Sequence, residues 1–333
     1  MSNTSVSTEI ISVTTGTLTF NSSLAMPQNS GLLKVTSTGT INFNGSAPSY
    51  SLNSTVSGGT NSTFTTTAGC YLNFAHGLTN ANTPLTIKNG SYSTFTGSST
   101  VTPTSTITFG NVTINSGASL TLAGDINVTN DWLNNGGTFT PSTSAVNFTP
   151  AANITQNITK SGGETFYTLT ANVSTAILQL NSDVTVTNTL NMSGHSFNLN
   201  GNTLLLGSGS NATLTISGVT TTKGFAYGGV FKRYWAAGTS ITATAAPYNG
   251  LFPIGILGDY RPVKIASTVA PTGGGYISAS NTDSPSVTDV SYTDNQGASI
   301  LRIADQYSSV VNSGVTGGTY NIDVTFNGFN NPG

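Results

Sequence analysis

The stretch SLTLAGDINVTNDW, residues 119–132, aligns without a gap on ILQLNSDVTVTNTL, residues 177–190, at an offset of 58. Leu120 meets Leu178, Leu122 meets Leu180, Asp125 meets Asp183, and Val128-Thr129-Asn130 meets Val186-Thr187-Asn188. Upstream, FGNVTINSG (109–117) matches FYTLTANVS (166–174) at an offset of 57, so one residue is inserted between the two blocks. Looser echoes stand at GTLTFNSSLAMP (16–27) and GTINFNGSA (39–47). Within each block apolar and polar side chains alternate, the signature of an extended chain with one face buried. Strands this short cannot cover their own apolar side. Stacked repeats can, by sharing one continuous core.

Composition agrees with this. The chain of 333 residues holds 58 Thr, 42 Ser, 36 Asn and 38 Gly, with 6% charged residues and a net charge of -2. Disorder goes with low hydrophobicity and high net charge, and the second condition fails. Thr favours strands, and Gly and Asn favour turns. No segment shows helical periodicity. The expected fold is all-β, with a Thr/Asn/Gly-rich β-solenoid-like region over residues 1–220, its repeat clearest at 109–148 and 166–206. Coils of roughly 20 residues stacked at about 4.8 Å would give about eleven coils and a rod on the order of 50 Å. A row of β-sandwiches is the rival, and the repeat is short for one such domain.

Near residues 218–224 the composition changes. Residues 1–222 hold eight charged side chains, whereas 223–333 hold twelve in half the length. Segments such as GVFKRYWAAG and FPIGILGDYRPVKI replace the Thr/Asn blocks. Residues 221–333 are therefore expected to form a second, β-sandwich-like all-β module, truncated at its C-terminal end after NIDVTFNGFNNPG.

Candidate chemistry is sparse. Glycoside hydrolysis needs paired carboxylates, and the segment 1–222 offers only Glu9, Asp125, Asp131, Glu164 and Asp183. Asp125 and Asp183 occupy equivalent repeat positions, which favours a turn role, the side chain bonding to nearby backbone. His76 and His195 stand beside glycines with no ligand cluster around them. Asp283, Asp289 and DNQGAS (294–299) lack the spacing of a calcium loop. Cys70 sits at an alternating apolar position and reads as a small buried hydrophobe. Tyr234, Trp235, Tyr248 and Tyr260 concentrate in the second module, as core or as a carbohydrate platform. No catalytic, cofactor-binding or metal site is assigned. Nine Lys and Arg against eleven Asp and Glu, with no basic run, argue against a nucleic-acid partner, and no apolar run reaches membrane-span length.

ITQNITKSGGETFYTLTANVSTAILQLNSDVTVTNTLNMSGHSFNLNGNTLLLG (154–207), followed by LFPIGILGDYRPVKI (251–265) and GTYNIDVTFNG (318–328), resembles the repetitive adhesin-like surface proteins of Bacteroidota. The resemblance covers roughly residues 150–330. It implies a large extracellular or cell-surface protein, often exported by the type IX system, active in adhesion or gliding, and with no catalytic residues to carry over. It also implies a structural role for Tyr260-Arg261-Pro262, with Arg261 paired to a carboxylate or to carbonyls. The expected function is a non-enzymatic spacer and multivalent contact surface, with filament or matrix formation as variants. Its partners would be surface or matrix glycans, other surface proteins, or further copies of the chain. A carbohydrate-binding or carbohydrate-degrading β-helix is the alternative.

Overall fold

In a computed structural model the chain is all-β, with no helix among the described residues. Side chains are described for residues 17–19, 92–103, 106–173, 175–282 and 307–325; elsewhere between Glu9 and Ala304 only strand backbones are. Two compact units divide the chain, Met1–Ser182 and Asp183–Gly333.

The first unit is a β-solenoid. Each full coil lays one strand on each of three faces. One coil gives Ser98–Pro103, Ile107–Phe109 and Asn111–Ile114; the next gives Ser119–Leu122, Ile126–Val128 and Trp132–Asn134. Every pairing between coils is parallel, from Glu9↔Gly31 at one end to Ile158↔Leu180 at the other. The coils differ in length. Among the well-described ones the register runs Ile107↔Ile126, Ile126↔Val146, Ala145↔Thr168 and, longest of these, Trp132↔Ile158. The variation lies in the turns, whereas the strand positions stay in phase.

Alternation builds the core. Leu120, Leu122, Val112, Ile114, Ile126, Val128, Leu178 and Leu180 are all buried, while the Thr and Asn between them face outward. Burying one such side chain is worth about 1.5–3 kcal/mol. Successive coils set inward position on inward position, so the interior becomes largely apolar columns such as Ile107, Ile126 and Val146. Aromatic rings fill the wider places: Trp132 packs edge-on against Phe139 at 4.7 Å and Phe166 at 5.5 Å. At the turn Gly136-Gly137, Gly136 has φ +95°, and a Cβ on Gly137 would lie 2.5 Å from the Asn115 carbonyl oxygen of the preceding coil. Only glycine lets the two backbones approach so closely.

The sequence repeat and the spatial repeat differ. Leu120 and Leu122 lie on the face built from Ser98–Pro103, Ser119–Leu122 and Thr138–Thr140. Their counterparts Leu178 and Leu180 lie on another face, beside Gln156 and Ile158. Likewise Val112 and Leu169 are equivalent and both buried, yet they pair on different faces. All faces follow the same strand-and-turn grammar, so one sequence block suits more than one of them.

The second unit begins with the same parallel stacking. Val184–Asn191 pairs with Thr203–Leu206 and, further along, with Thr213–Thr215; Ser196–Asn198 pairs with Ala226–Tyr227, which pairs with Ile254–Ile256. The shift in composition near 218–224 thus precedes the change in strand direction. Antiparallel pairing starts between Val230–Trp235 and Gly275–Thr282, which continues to Tyr307–Ser313. A second antiparallel sheet holds Leu251–Phe252, Val263–Val269 and Thr319–Val324. The two sheets face each other through Phe231–Phe252 at 6.1 Å, Trp235–Phe252 at 6.4 Å and a stacked Trp235–Tyr320 pair at 5.8 Å. Arg233 lies fully buried in this unit, donating to the carbonyls of Tyr248, Leu251 and Ala212. Burial pushes its guanidinium down to about 9, which still leaves it charged at neutral pH.

Candidate binding groove on one solenoid face

One face of the first unit carries a groove of about 280 Å³ running across four strands, Tyr92–Phe95, Asn111–Ile114, Trp132–Asn134 and Thr155–Lys160, to Asn181 just past the strand Ile177–Leu180. Parallel register sets its outward side chains in rows, because residues in phase on successive coils stand directly above one another. Tyr92 is beside Asn111, and Asn157 is beside Gln179. In the adjacent row Thr113, Leu133 and Thr159 follow one another.

The polar rows are bonded along the stacking direction. Asn111 Oδ1 accepts the Asp131 N–H at 3.3 Å. Asp131 Oδ1 accepts the Asn157 N–H at 2.8 Å and Asn157 Nδ2 at 3.1 Å. Gln179 Nε2 donates to Asn157 Oδ1 at 3.3 Å, and Asn181 Nδ2 donates to Thr159 Oγ1 at 3.1 Å. This ladder orders the side chains in advance of any ligand. Among the described residues no hydrogen bond falls on Asp131 Oδ2, so that oxygen is available in the groove. Leu133 gives the floor an apolar patch, and Tyr92, 37% exposed, adds an aromatic ring to the lining. The lining offers amides, hydroxyls and one carboxylate. Two-carboxylate hydrolysis has no second acid among the described lining residues.

The carboxylates considered from the sequence fall into separate roles. Asp125 Oδ1 accepts the Ala145 N–H at 2.7 Å, and Asp183 Oδ1 accepts the Thr203 N–H at 2.7 Å. Each acceptor stands just before a strand and reaches onward to the next coil. The turn position agrees with the sequence; the bond differs, tying the turn to the following coil rather than to its own backbone. Glu164 is buried and bound by four donors. Trp132 Nε1 at 3.1 Å and Asn134 Nδ2 at 2.9 Å meet its Oε2, while Lys160 Nζ at 3.0 Å and the Thr165 N–H at 3.1 Å meet its Oε1. It locks the interior end of the turn between Thr155–Lys160 and the strand it opens. The side chains of Glu9, Cys70, His76, Asp283 and Asp289, and residues 294–298, lie outside the described set.

His195 is fully buried and packs edge-on against Phe197 at 6.1 Å. No cluster of three or more His, Cys, Asp or Glu able to hold a metal occurs among the described residues. The four aromatics of the second unit do not share a platform. Trp235 is in the core with its Nε1 donating to the Asn249 carbonyl at 2.8 Å. Tyr234 points to the other side of the strand and packs against Tyr276 at 5.2 Å. Tyr248 occupies a left-handed turn position with φ 52°. Tyr260 lies against Phe225 at 5.3 Å, and burial pushes its phenol up to about 12. Arg261 is buried with Asp259 Oδ2 3.6 Å from its Nη2, a carboxylate partner as its motif implied.

The groove was not legible in the sequence. The Asn, Asp and Gln of its bonded row come from turns and strands at unequal separations along the chain, as Asn111 to Asp131, Asp131 to Asn157 and Asn157 to Gln179 show. That irregular spacing hides the row. No helix among the described residues is long and apolar enough to cross a membrane. Comparison with protein-family models, curated proteins and solved structures finds no match to this chain.

Proposed function

We propose that the chain is a non-enzymatic structural and adhesive segment of a larger extracellular or cell-surface protein. It acts as a spacer whose outward side chains make many weak contacts. The observation that supports this reading best is the bonded row from Asn111 through Asp131 and Asn157 to Gln179, a surface built by repetition. A row of similar side chains offers similar contacts at each coil, and repeated weak contacts gain strength by avidity. The amides and hydroxyls lining the groove favour a carbohydrate among those contacts.

The test is retention of beads carrying the purified chain on glycan-coated and on chain-coated surfaces under flow. Retention should climb steeply with the density of chain on the bead. Retention that is absent at every density, or strictly proportional to density, contradicts the proposal. Release of new reducing ends from neutral or acidic polysaccharides overturns its non-enzymatic part.

A further inference from the structure

The geometry points to an uncharged, extended polyhydroxylated chain, a neutral glycan, as the ligand of the groove between Tyr92 and Asn181. Three competing classes fit poorly. Nucleic acids and acidic polysaccharides bring negative charge, whereas among the described residues lining the groove the one charged side chain is the acidic Asp131. An extended peptide is usually captured by adding a strand to a free sheet edge. The strand Trp132–Asn134 at the groove centre is already paired on both sides, with Asn111–Ile114 and Thr155–Lys160. A lipid tail or apolar helix needs an apolar trough, and here Leu133 stands between Thr113 and Thr159.

What remains matches a neutral sugar chain on both of its chemical faces. Its hydroxyls need mixed donors and acceptors, which Asn111, Asn157 and Thr159 supply alongside the available Asp131 Oδ2. A carboxylate oxygen accepting a hydroxyl makes the stronger, charge-assisted kind of hydrogen bond. Its C–H faces need flat or aliphatic partners, which the exposed Tyr92 ring and Leu133 supply. The ladder bonds hold these groups in place beforehand, which lowers the ordering cost of binding. From the strand of Tyr92 to the coil of Asn181 there are four interstrand steps of about 4.8 Å, or roughly 20 Å in all. The ligand would therefore lie along the stacking direction and occupy several sugar units. This inference rests on the adhesive reading only in naming one of its contacts.

The experiment is calorimetric titration of the full chain with cello-, xylo- and manno-oligosaccharides of two to six units, and with hexagalacturonate. At least one neutral series should bind, with affinity rising from the disaccharide toward the hexasaccharide. Tyr92→Ala should weaken binding about tenfold, the loss of one ring–sugar contact worth roughly 1.4 kcal/mol. Asp131→Asn, which keeps an oxygen to accept the Asn157 N–H, should also weaken it. Tyr307→Ala, in the second unit, should leave it unchanged. The proposal is overturned if no neutral oligosaccharide binds, if hexagalacturonate binds best, or if neither groove variant weakens binding in a chain whose circular dichroism is unaltered. Bead retention on chain-coated surfaces that survives such a failure leaves the adhesive reading standing.

Discussion

At the residue scale, scarcity of charge makes each charged group specific. Asp125 and Asp183, matched in sequence, each accept one backbone N–H of the following coil at 2.7 Å. Replacing either with Ala should cost about 1–2 kcal/mol, the worth of an exposed charge-assisted cap, read as a lowered urea midpoint. Glu164 is a different case. Glu164→Ala leaves the indole N–H of Trp132 and the amide of Asn134 without their acceptor inside the core. About 3–5 kcal/mol should be lost, and a loss below about 1 kcal/mol would show that the network relaxes onto other partners. Alkaline pH separates two buried groups. Tyr260, raised by burial from 10.0 to about 12, keeps its proton in the fold while the unfolded chain releases it, so its contribution falls as pH rises from 10 to 12. Arg233, lowered from 12.5 to about 9 by burial, acts oppositely, since the unfolded chain there holds the extra proton. Tyr260→Phe should therefore make the slope of the urea midpoint against pH more positive between pH 10 and 11.5 than in the parent chain, and an unchanged slope contradicts the buried phenol.

At the element scale, alternation carried most of the information. ILQLNSDVTVTNTL forms the strands Ile177–Leu180 and Val184–Asn191, separated by a turn that holds Asp183. Leu178, Leu180, Val184 and Val186 point inward as their period-two spacing requires. The face on which each strand lies was not legible, because side-chain alternation states only inside or outside. Unequal coils, the short step Ile107↔Ile126 against the long step Trp132↔Ile158, then break any fixed spacing from which the face, or the polar row, could be read. Buried charge follows the same alternation. Alternation in FKRYW puts Lys232 and Arg233 on opposite faces of the strand, and Arg233 takes the inward one, its guanidinium donating to the carbonyls of Ala212, Tyr248 and Leu251. Turn chemistry offers a direct check of coil spacing. Gly137→Ala sets a methyl against the Asn115 carbonyl and Ile114, and should destabilise the unit by about 1–3 kcal/mol in thermal or urea unfolding. A neutral result would mean that neighbouring coils are further apart at this turn.

At the scale of the molecule, the chain invests in surface order rather than in reactive groups. Apolar columns hold the coils together, and the outward residues are left to repeat. That division explains how a protein with 6% charged residues carries a preorganised polar row and a groove, and why its function is proposed as contact. Rows exist only if coils stack in the register found, with Thr113 beside Leu133. The most direct test is oxidation of Thr113→Cys/Leu133→Cys in a Cys70→Ser background. Paired parallel strands stand about 4.8 Å apart, within reach of a disulfide. An intramolecular bond should form in the folded chain, and faster than in a chain unfolded by urea before oxidation. Two thiols that remain reduced in the folded chain, under conditions that oxidise the unfolded one, would contradict the stacked rows and the contact surface built on them.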